Sequence, residues 1–217
     1  MKTSDFVYKI LLGAFSPIFG SLYEVKTYGK ENLPKGRAIL VANHTSYLDP
    51  FFMIFGIHSK KPIHFCTLDF SKYSSSGLGK IQASIMNFLL NLTGQIVFDR
   101  GRMNNAVFRK IKRVLEDEKY LSVFAEGKRS HNGELDGFKD GAAYIALKTQ
   151  SPLVPIWLKG SYEIWKKGDY FPKLNGKVEM RIGNLIVANY NGSGNLRRNV
   201  VDLSDFVREE ILKLSCV

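Results

Sequence analysis

The sequence predicts an α/β fold: one domain with a mostly parallel sheet covered by helices, preceded by an apolar N-terminal segment. Three observations carry this. Short apolar runs such as AILVA (38–42) are continuous rather than alternating, as in strands buried on both faces. Helical stretches separate these runs, and strands alternating with helices build parallel sheets. The chain has 217 residues, 45% of them hydrophobic, enough for a single core without staples. Residues 1–24 are expected to form the appended segment and 25–217 the domain.

Residues 6–23, FVYKILLGAFSPIFGSLY, are strongly apolar but interrupted by Lys9, Gly13 and Pro17. A spanning helix needs about 20 apolar residues, and a mid-helix proline weakens one. A helix lying in a membrane surface is therefore expected first, ahead of a helix packed on the domain or a full span. No small-residue cleavage signature follows, so no secretory signal is expected.

Further along, 25–28 can form a short strand and the turn-rich stretch 29–37 a connector. The buried strand 38–43 follows, then a helix opening at Pro50, where proline suits the first turn. PIHFCTL (62–68) reads as a strand, 69–80 as a glycine- and serine-rich loop, and 81–92 as a very apolar helix. QIVFD (95–99) is a strand and 104–120 an amphipathic helix with Val107, Ile111, Val114 and Leu115 on one face. Strand 120–127, helix 138–150, strand 153–160 and strand 177–186 come next. The helix 203–214 closes the chain, with Ser204 as its expected cap and Glu209–Lys213 as an i,i+4 pair. The least regular stretch is 187–202.

The formal charge is +11, from 31 Lys plus Arg against 20 Asp plus Glu. A basic surface favours a polyanion: nucleic acid, an anionic membrane, or a phosphorylated substrate. No nucleic-acid motif is present and the cations cluster in short strand-end groups, so nucleic acid is not an expected partner. Cys66 and Cys216 are too isolated for a disulfide scaffold or zinc site. His58, His64 and His131 form no metal-ligand pattern, so neither metal nor cofactor is expected.

In α/β folds ligands gather beyond the strand ends. Four such stretches stand out: NHTSYLD (43–49), GQIVFDR (94–100), FAEGKRS (124–130) and SPLVPI (151–156). His44 can take a proton from a hydroxyl near neutral pH, and Asp49 can fix its tautomer if the chain turns across Thr45–Leu48. Singly, a strand-end histidine is usually a structural hydrogen-bonder and an aspartate before proline a helix cap; only the pair argues for catalysis. No serine or cysteine sits in a nucleophile-elbow pattern, so direct attack by a substrate hydroxyl is the more natural chemistry. Arg100, Lys128 and Arg129, with backbone N–H groups beside Gly127, suit a phosphate, although a lone surface arginine is usually just solvated. Glu126 can orient these cations, accept from a ligand hydroxyl, or serve as a structural partner. Val154–Pro155–Ile156 reads as a buried edge or bulged strand, with Pro155 shaping a wall of the site.

These four stretches, in this order, resemble the motifs of the glycerolipid acyltransferase family. Asn43, His44 and Asp49 match the first; Gly94, Ile96, Asp99 and Arg100 the second; Phe124, Glu126, Gly127, Arg129 and Ser130 the third; Val154–Pro155–Ile156 the fourth. ENLPKG before the first motif and FKDGAAYIA after the third are also family-like, so the resemblance covers roughly residues 25–160. It implies an O-acyltransferase in which His44, held by Asp49, activates the free hydroxyl of a lysophospholipid acceptor. The donor would be acyl-CoA or acyl carrier protein, and the favoured acceptor 1-acyl-sn-glycerol-3-phosphate, giving phosphatidic acid. Arg100, Glu126, Gly127, Lys128, Arg129 and Ser130 would bind the acceptor; Asn43, Gly94, Asp99, Val154, Pro155 and Ile156 would support the motifs. An anionic membrane surface would be a further partner, on the cytoplasmic face of the inner membrane. Two departures bear on the acceptor: Lys128 stands where the family has threonine, and CTLDFSKYSSSG (66–77) lacks the family's usual Ala-Lys-x-Glu-Leu pattern. Glycerol-3-phosphate, a lyso-ornithine lipid or another lysophospholipid are the alternative acceptors, and a lipid-binding protein without activity the alternative class.

Overall fold

The computed structural model describes residues 3–68, 77–98, 104–135, 137–189 and 195–216. Helix α1 (Thr3–Leu22) runs into strand β1 (Tyr23–Tyr28). After a short 3-10 turn come β2 (Ala38–Ala42), α2 (Asp49–Ile57), β3 (Ile63–Leu68), α3 (Gly77–Leu92) and β4 (Ile96–Phe98). The chain continues through α4 (Asn105–Glu116), β5 (Tyr120–Phe124), α5 (Gly141–Thr149), β6 (Leu153–Lys159), α6 (Ser161–Ile164), β7 (Gly176–Ile182) and α7 (Leu196–Ser215). The strands form a seven-stranded sheet in the order β1-β7-β6-β2-β5-β3-β4. All neighbours are parallel except β6 and β7.

The unbroken apolar run of β2 has a direct cause. Ile39 and Val41 face a core shared with α4, α5 and α7, while Ala38, Leu40 and Ala42 face a second core shared with α2. All five residues are fully buried. A strand wet on one face would have alternated. Gly56 lets α2 lie close on the sheet, since a Cβ there would fall 1.9 Å from Met180 Cε.

Helix α1 lies along the domain. At one end Asp5 accepts from Lys119 Nζ at 2.7 Å, and Tyr8 is buried. At the other, Phe19 meets Phe55, Tyr23 and Phe52 with ring centroids 4.3, 5.0 and 5.4 Å away. The outward face carries Phe6, Ile10, Phe15 and Ile18, each more than half exposed. Beside α1, helix α3 exposes Ile85, Phe88, Leu89 and Leu92.

Some expectations need correction. The closing helix begins at Leu196, two turns earlier than expected, because Asn195 accepts from Arg197 N–H and Arg198 N–H. Ser204 is therefore interior, with its Oγ buried and unpartnered, and Lys213 pairs with Glu210 rather than Glu209. Strand β6 is no edge strand: it lies between β7 and β2. Pro155 is tolerated there because its missing N–H points to the β7 side, where the ladder has ended and Gly183 N–H donates to Pro155 O. Of the expected loop 69–80, residues 69–76 lie outside the described residues and 77–80 begin α3.

His64, in β3, is 3% exposed; its Nδ1 donates to Gly94 O at 2.8 Å, while Nε2 is buried and unpartnered. Burial pushes its pKa below the ordinary 6.5, against the opposing effect of the Gly94 contact. The unfolded chain then binds a proton at this residue that the folded chain refuses, so stability is lost as pH falls below about 6.5. The urea midpoint should drop between pH 7 and pH 5.5. His64→Asn, which keeps a donor for Gly94, should flatten that slope; equal slopes would remove His64 as the cause.

Candidate active site

Strands β2, β5 and β6 are parallel neighbours, with Ala42 beside both Phe124 and Ile156. Their C-terminal ends share one edge of the sheet, so the segments 43–48, 125–130 and 160–165 emerge together.

Asn43 continues β2 with its side chain. Its Nδ2 donates to Leu158 O at 3.0 Å and its Oδ1 accepts from Leu158 N–H at 2.7 Å. The amide thus copies a peptide group and pins the start of the turn to β6. The turn then folds over Asp49, whose Oδ2 accepts from Thr45 N–H at 2.7 Å and Ser46 N–H at 2.8 Å. His44 Nδ1 lies 2.8 Å from the same oxygen. With two backbone donors converging there, Oδ2 is an acceptor, so Nδ1 carries the hydrogen and Nε2 presents the lone pair. Asp49 is fully buried in the first turn of α2, ahead of Pro50, where the helix dipole favours negative charge. Its Oδ1 is buried with no hydrogen-bond partner. Leu48, not Asp49, occupies the cap position of α2.

Phe124 stacks on the imidazole, with centroids 4.1 Å apart and planes 14° from parallel. The His44 side chain remains 19% exposed. Its backbone is held from the third motif: His44 N–H donates to Glu126 Oε1 at 2.9 Å, and Ser130 N–H donates to His44 O at 2.8 Å. Glu126 and Ser130 are both fully buried. The Ser130 hydroxyl donates to Asn132 Oδ1 and accepts from Gly133 N–H, closing the turn that follows. These two residues therefore lie beneath the histidine. Gly127 turns the chain at φ +64, and Lys128 after it is exposed.

Arg129 reaches back over the first motif. Its guanidinium carbon sits 3.2 Å from the centroid of the Tyr47 ring, a cation–π contact. Burial lowers its pKa, opposed by Tyr47 and the Asp49 carboxylate. The Tyr47 ring in turn packs on Trp165, centroids 4.8 Å apart. The buried Thr45 and Ser161 hydroxyls lie 2.8 Å apart.

Sequence reasoning missed three of these residues. Tyr47 occupied a variable position of the first motif, and Trp165 lay beyond the fourth. The third is Lys139: its N–H donates to Ala125 O at 2.9 Å, and a Cβ at Gly127 would fall 3.0 Å from its Nζ. It adds a cation beside the third motif, and its only signal was the FKDGAAYIA stretch.

The other expected residues are more dispersed. Gly94, at φ +75, turns α3 into β4 and accepts from His64. Val154 and Ile156 are core residues on the α2 side of β6. The Pro155 ring lies against Gly183, on the face that α7 covers. Asp99 and Arg100, with Arg102, follow β4 but lie outside the described residues. Among the described residues no group of three His, Cys, Asp or Glu side chains is placed to hold a metal ion.

Comparison with known proteins fits this geometry. The Acyltransferase family model matches residues 24–159, which contain every motif residue named above. A 1-acyl-sn-glycerol-3-phosphate acyltransferase of Limnanthes douglasii is 30% identical over 152 residues, 67% of this chain and 49% of that protein. One from Borreliella burgdorferi is 26% identical over 146 residues, 66% of this chain and 54% of that protein. The chain spans about half the length of the curated relatives it matches. The crystal structure of the 1-acyl-sn-glycerophosphate acyltransferase PlsC from Thermotoga maritima superposes with a TM-score of 0.65 at 26% identity, over 94% of this chain and 79% of that one. With its sheet, its ordered motifs and a family match across most of the domain, the chain belongs to the Acyltransferase family.

Proposed function

We propose that the protein transfers a fatty acyl group from a thioester, acyl-CoA or acyl carrier protein, to the free hydroxyl of 1-acyl-sn-glycerol-3-phosphate, forming phosphatidic acid. The observation that carries this reading is the His44 Nδ1–Asp49 Oδ2 contact of 2.8 Å at the edge where three parallel strands end. Asp49 holds the tautomer that leaves Nε2 as the base. Nε2 takes the hydroxyl proton as the oxygen attacks the thioester carbonyl. The tetrahedral intermediate collapses, the C–S bond breaks, and the imidazolium returns the proton to the thiolate.

The acceptor phosphate is assigned to Arg129, Lys128 and Lys139, with Arg100 as the further cation. Glu126 and Ser130 act by holding the His44 backbone. Arg129 is the best-placed phosphate ligand: stacking on Tyr47 fixes its plane, and a guanidinium binds phosphate through two parallel hydrogen bonds.

The acceptor and product are bilayer lipids, which fits the outer face of α1. Asp5–Leu22 is apolar and long enough to cross a membrane, yet it is tied to the domain at both ends. A helix held in that way suits lying in the membrane surface, its exposed Phe6, Ile10, Phe15 and Ile18 meeting acyl chains beside those of α3. The cytoplasmic face of the inner membrane is the side where thioester donors are made, and we assign the protein there.

Two experiments test this reading. Purified protein is given a labelled acyl thioester and a panel of lysolipids, with glycerol-3-phosphate included because Lys128 marks the acceptor side. Label should enter phosphatidic acid, and His44→Ala or Asp49→Asn should slow transfer by roughly 10²- to 10⁴-fold without unfolding. Full activity in His44→Ala would remove the general base. Separately, Tyr47→Ala should raise KM for the phosphorylated acceptor about tenfold with a smaller effect on kcat, whereas Tyr47→Phe, which keeps the ring under Arg129, should behave as the parent. Equal kinetics for Tyr47→Ala and the parent would dissociate the stack from acceptor binding.

A further inference from the structure

We propose that residues 165–175, between α6 and β7, form a second membrane contact that inserts Tyr170, Phe171 and Leu174 among anionic lipids at the rim of the active site. The proposal rests on the reading above, in that the acceptor is a bilayer lipid. Tyr170 is 92% exposed, Phe171 83% and Leu174 65%. Isolated exposed apolar residues are ordinary, but three large ones within five positions form a protrusion that needs a partner. Tyrosine and phenylalanine suit the water–lipid boundary, where a ring meets both phases.

The protrusion is preformed. Lys173 N–H donates to Ile164 O at 2.9 Å and Asp169 N–H to Lys166 O at 3.2 Å. Trp165 Nε1–H donates to Asp169 O at 3.0 Å, and Tyr23 Oη–H to Lys173 O at 2.9 Å. Pro172 removes a further backbone freedom. The aromatic tips are therefore held outward by a braced backbone, so little ordering is left for binding.

Charge selects the kind of membrane. The segment carries Lys166, Lys167 and Lys173 against Asp169, three minus one, a net +2. Glu163 lies 3.3 Å from the half-buried Lys166 and 3.9 Å from the exposed Lys173; pairs this open to solvent are weak, and the lysines can exchange them for lipid phosphates. A basic, aromatic protrusion complements an anionic bilayer on both counts.

Position links it to the rest of the molecule. Tyr23, which braces the segment, directly follows α1. Trp165, which opens it, supports Tyr47 and through it Arg129. Lys167 Nζ lies 2.7 Å from His131 Nε2, just past the third motif. The segment thus runs from the end of α1 to the support of the phosphate-binding arginine. With α1 on the bilayer, it would dock the mouth of the site where a lipid headgroup arrives.

The test is partition onto vesicles by sedimentation, comparing phosphatidylcholine with mixed phosphatidylglycerol–phosphatidylcholine. The Tyr170→Ser/Phe171→Ser/Leu174→Ser protein should bind both compositions on the order of tenfold more weakly. Lys166→Gln/Lys167→Gln/Lys173→Gln should lose the preference for anionic vesicles and keep the zwitterionic partition. Phe171→Ser alone, at so exposed a position, guards against a folding defect in the triple variant and should show a smaller loss. Partition equal to the parent in both serine variants, with unchanged thermal unfolding, would overturn the proposal. Acyl transfer by the parent protein, assayed on the same vesicles, separates the two readings. Vesicle binding that depends on the segment without acyl transfer would leave this proposal standing and sink the acyltransferase reading. Transfer with serine variants that bind normally would do the reverse.

Discussion

The site depends on one buried oxygen. Asp49 Oδ2 gathers Thr45 N–H, Ser46 N–H and His44 Nδ1 within 2.7–2.8 Å. One carboxylate therefore both shapes the turn and aims the imidazole. Because the backbone donors belong to the two residues after the histidine, the turn cannot rearrange without moving the imidazole. Full burial strengthens these contacts by excluding competing water.

Everything around that oxygen limits motion. Asn43 substitutes its amide for a peptide group and locks the chain to β6 before the turn. Glu126 and Ser130 hold the two sides of the His44 peptide from the neighbouring strand's loop. Phe124 covers one face of the ring. The third motif thus contributes twice: its buried carboxylate and serine brace the histidine, while its Arg129 reaches back over the Tyr47 ring. Glu126, for which the sequence left several roles open, is a structural partner of the His44 backbone.

The basic composition has a physical place in this architecture. Arg129 lies over the Tyr47 ring and Lys139 beside Gly127, both just past the strand ends of β2 and β5. The outer faces of α1 and α3 and the protrusion at 170–174 expose large apolar side chains. Charge and apolar exposure together are the surface features on which the proposed membrane association rests.

The sequence by itself determined the α/β class, the order of the strands and longer helices though not the short α6, and the pairing of His44 with Asp49. These are local: apolar runs show burial, and a four-residue gap before a proline-opened helix lets two side chains meet across one turn. Helix α4 was equally legible, since Val107, Ile111 and Leu115 recur at helical spacing and are buried as that spacing requires. The longer start of α7 was not, because Asn195 lay in a polar stretch whose composition resembles a loop. Only the tertiary structure decided which strands became neighbours, and with them the partners of Asn43, Glu126 and Tyr47. Those contacts join residues separated by 82 to 118 positions, as with His44 to Glu126, Asn43 to Leu158 and Tyr47 to Trp165. Periodicity carries no record of such pairings, because they arise from the packing of the sheet and not from the chain that spans it.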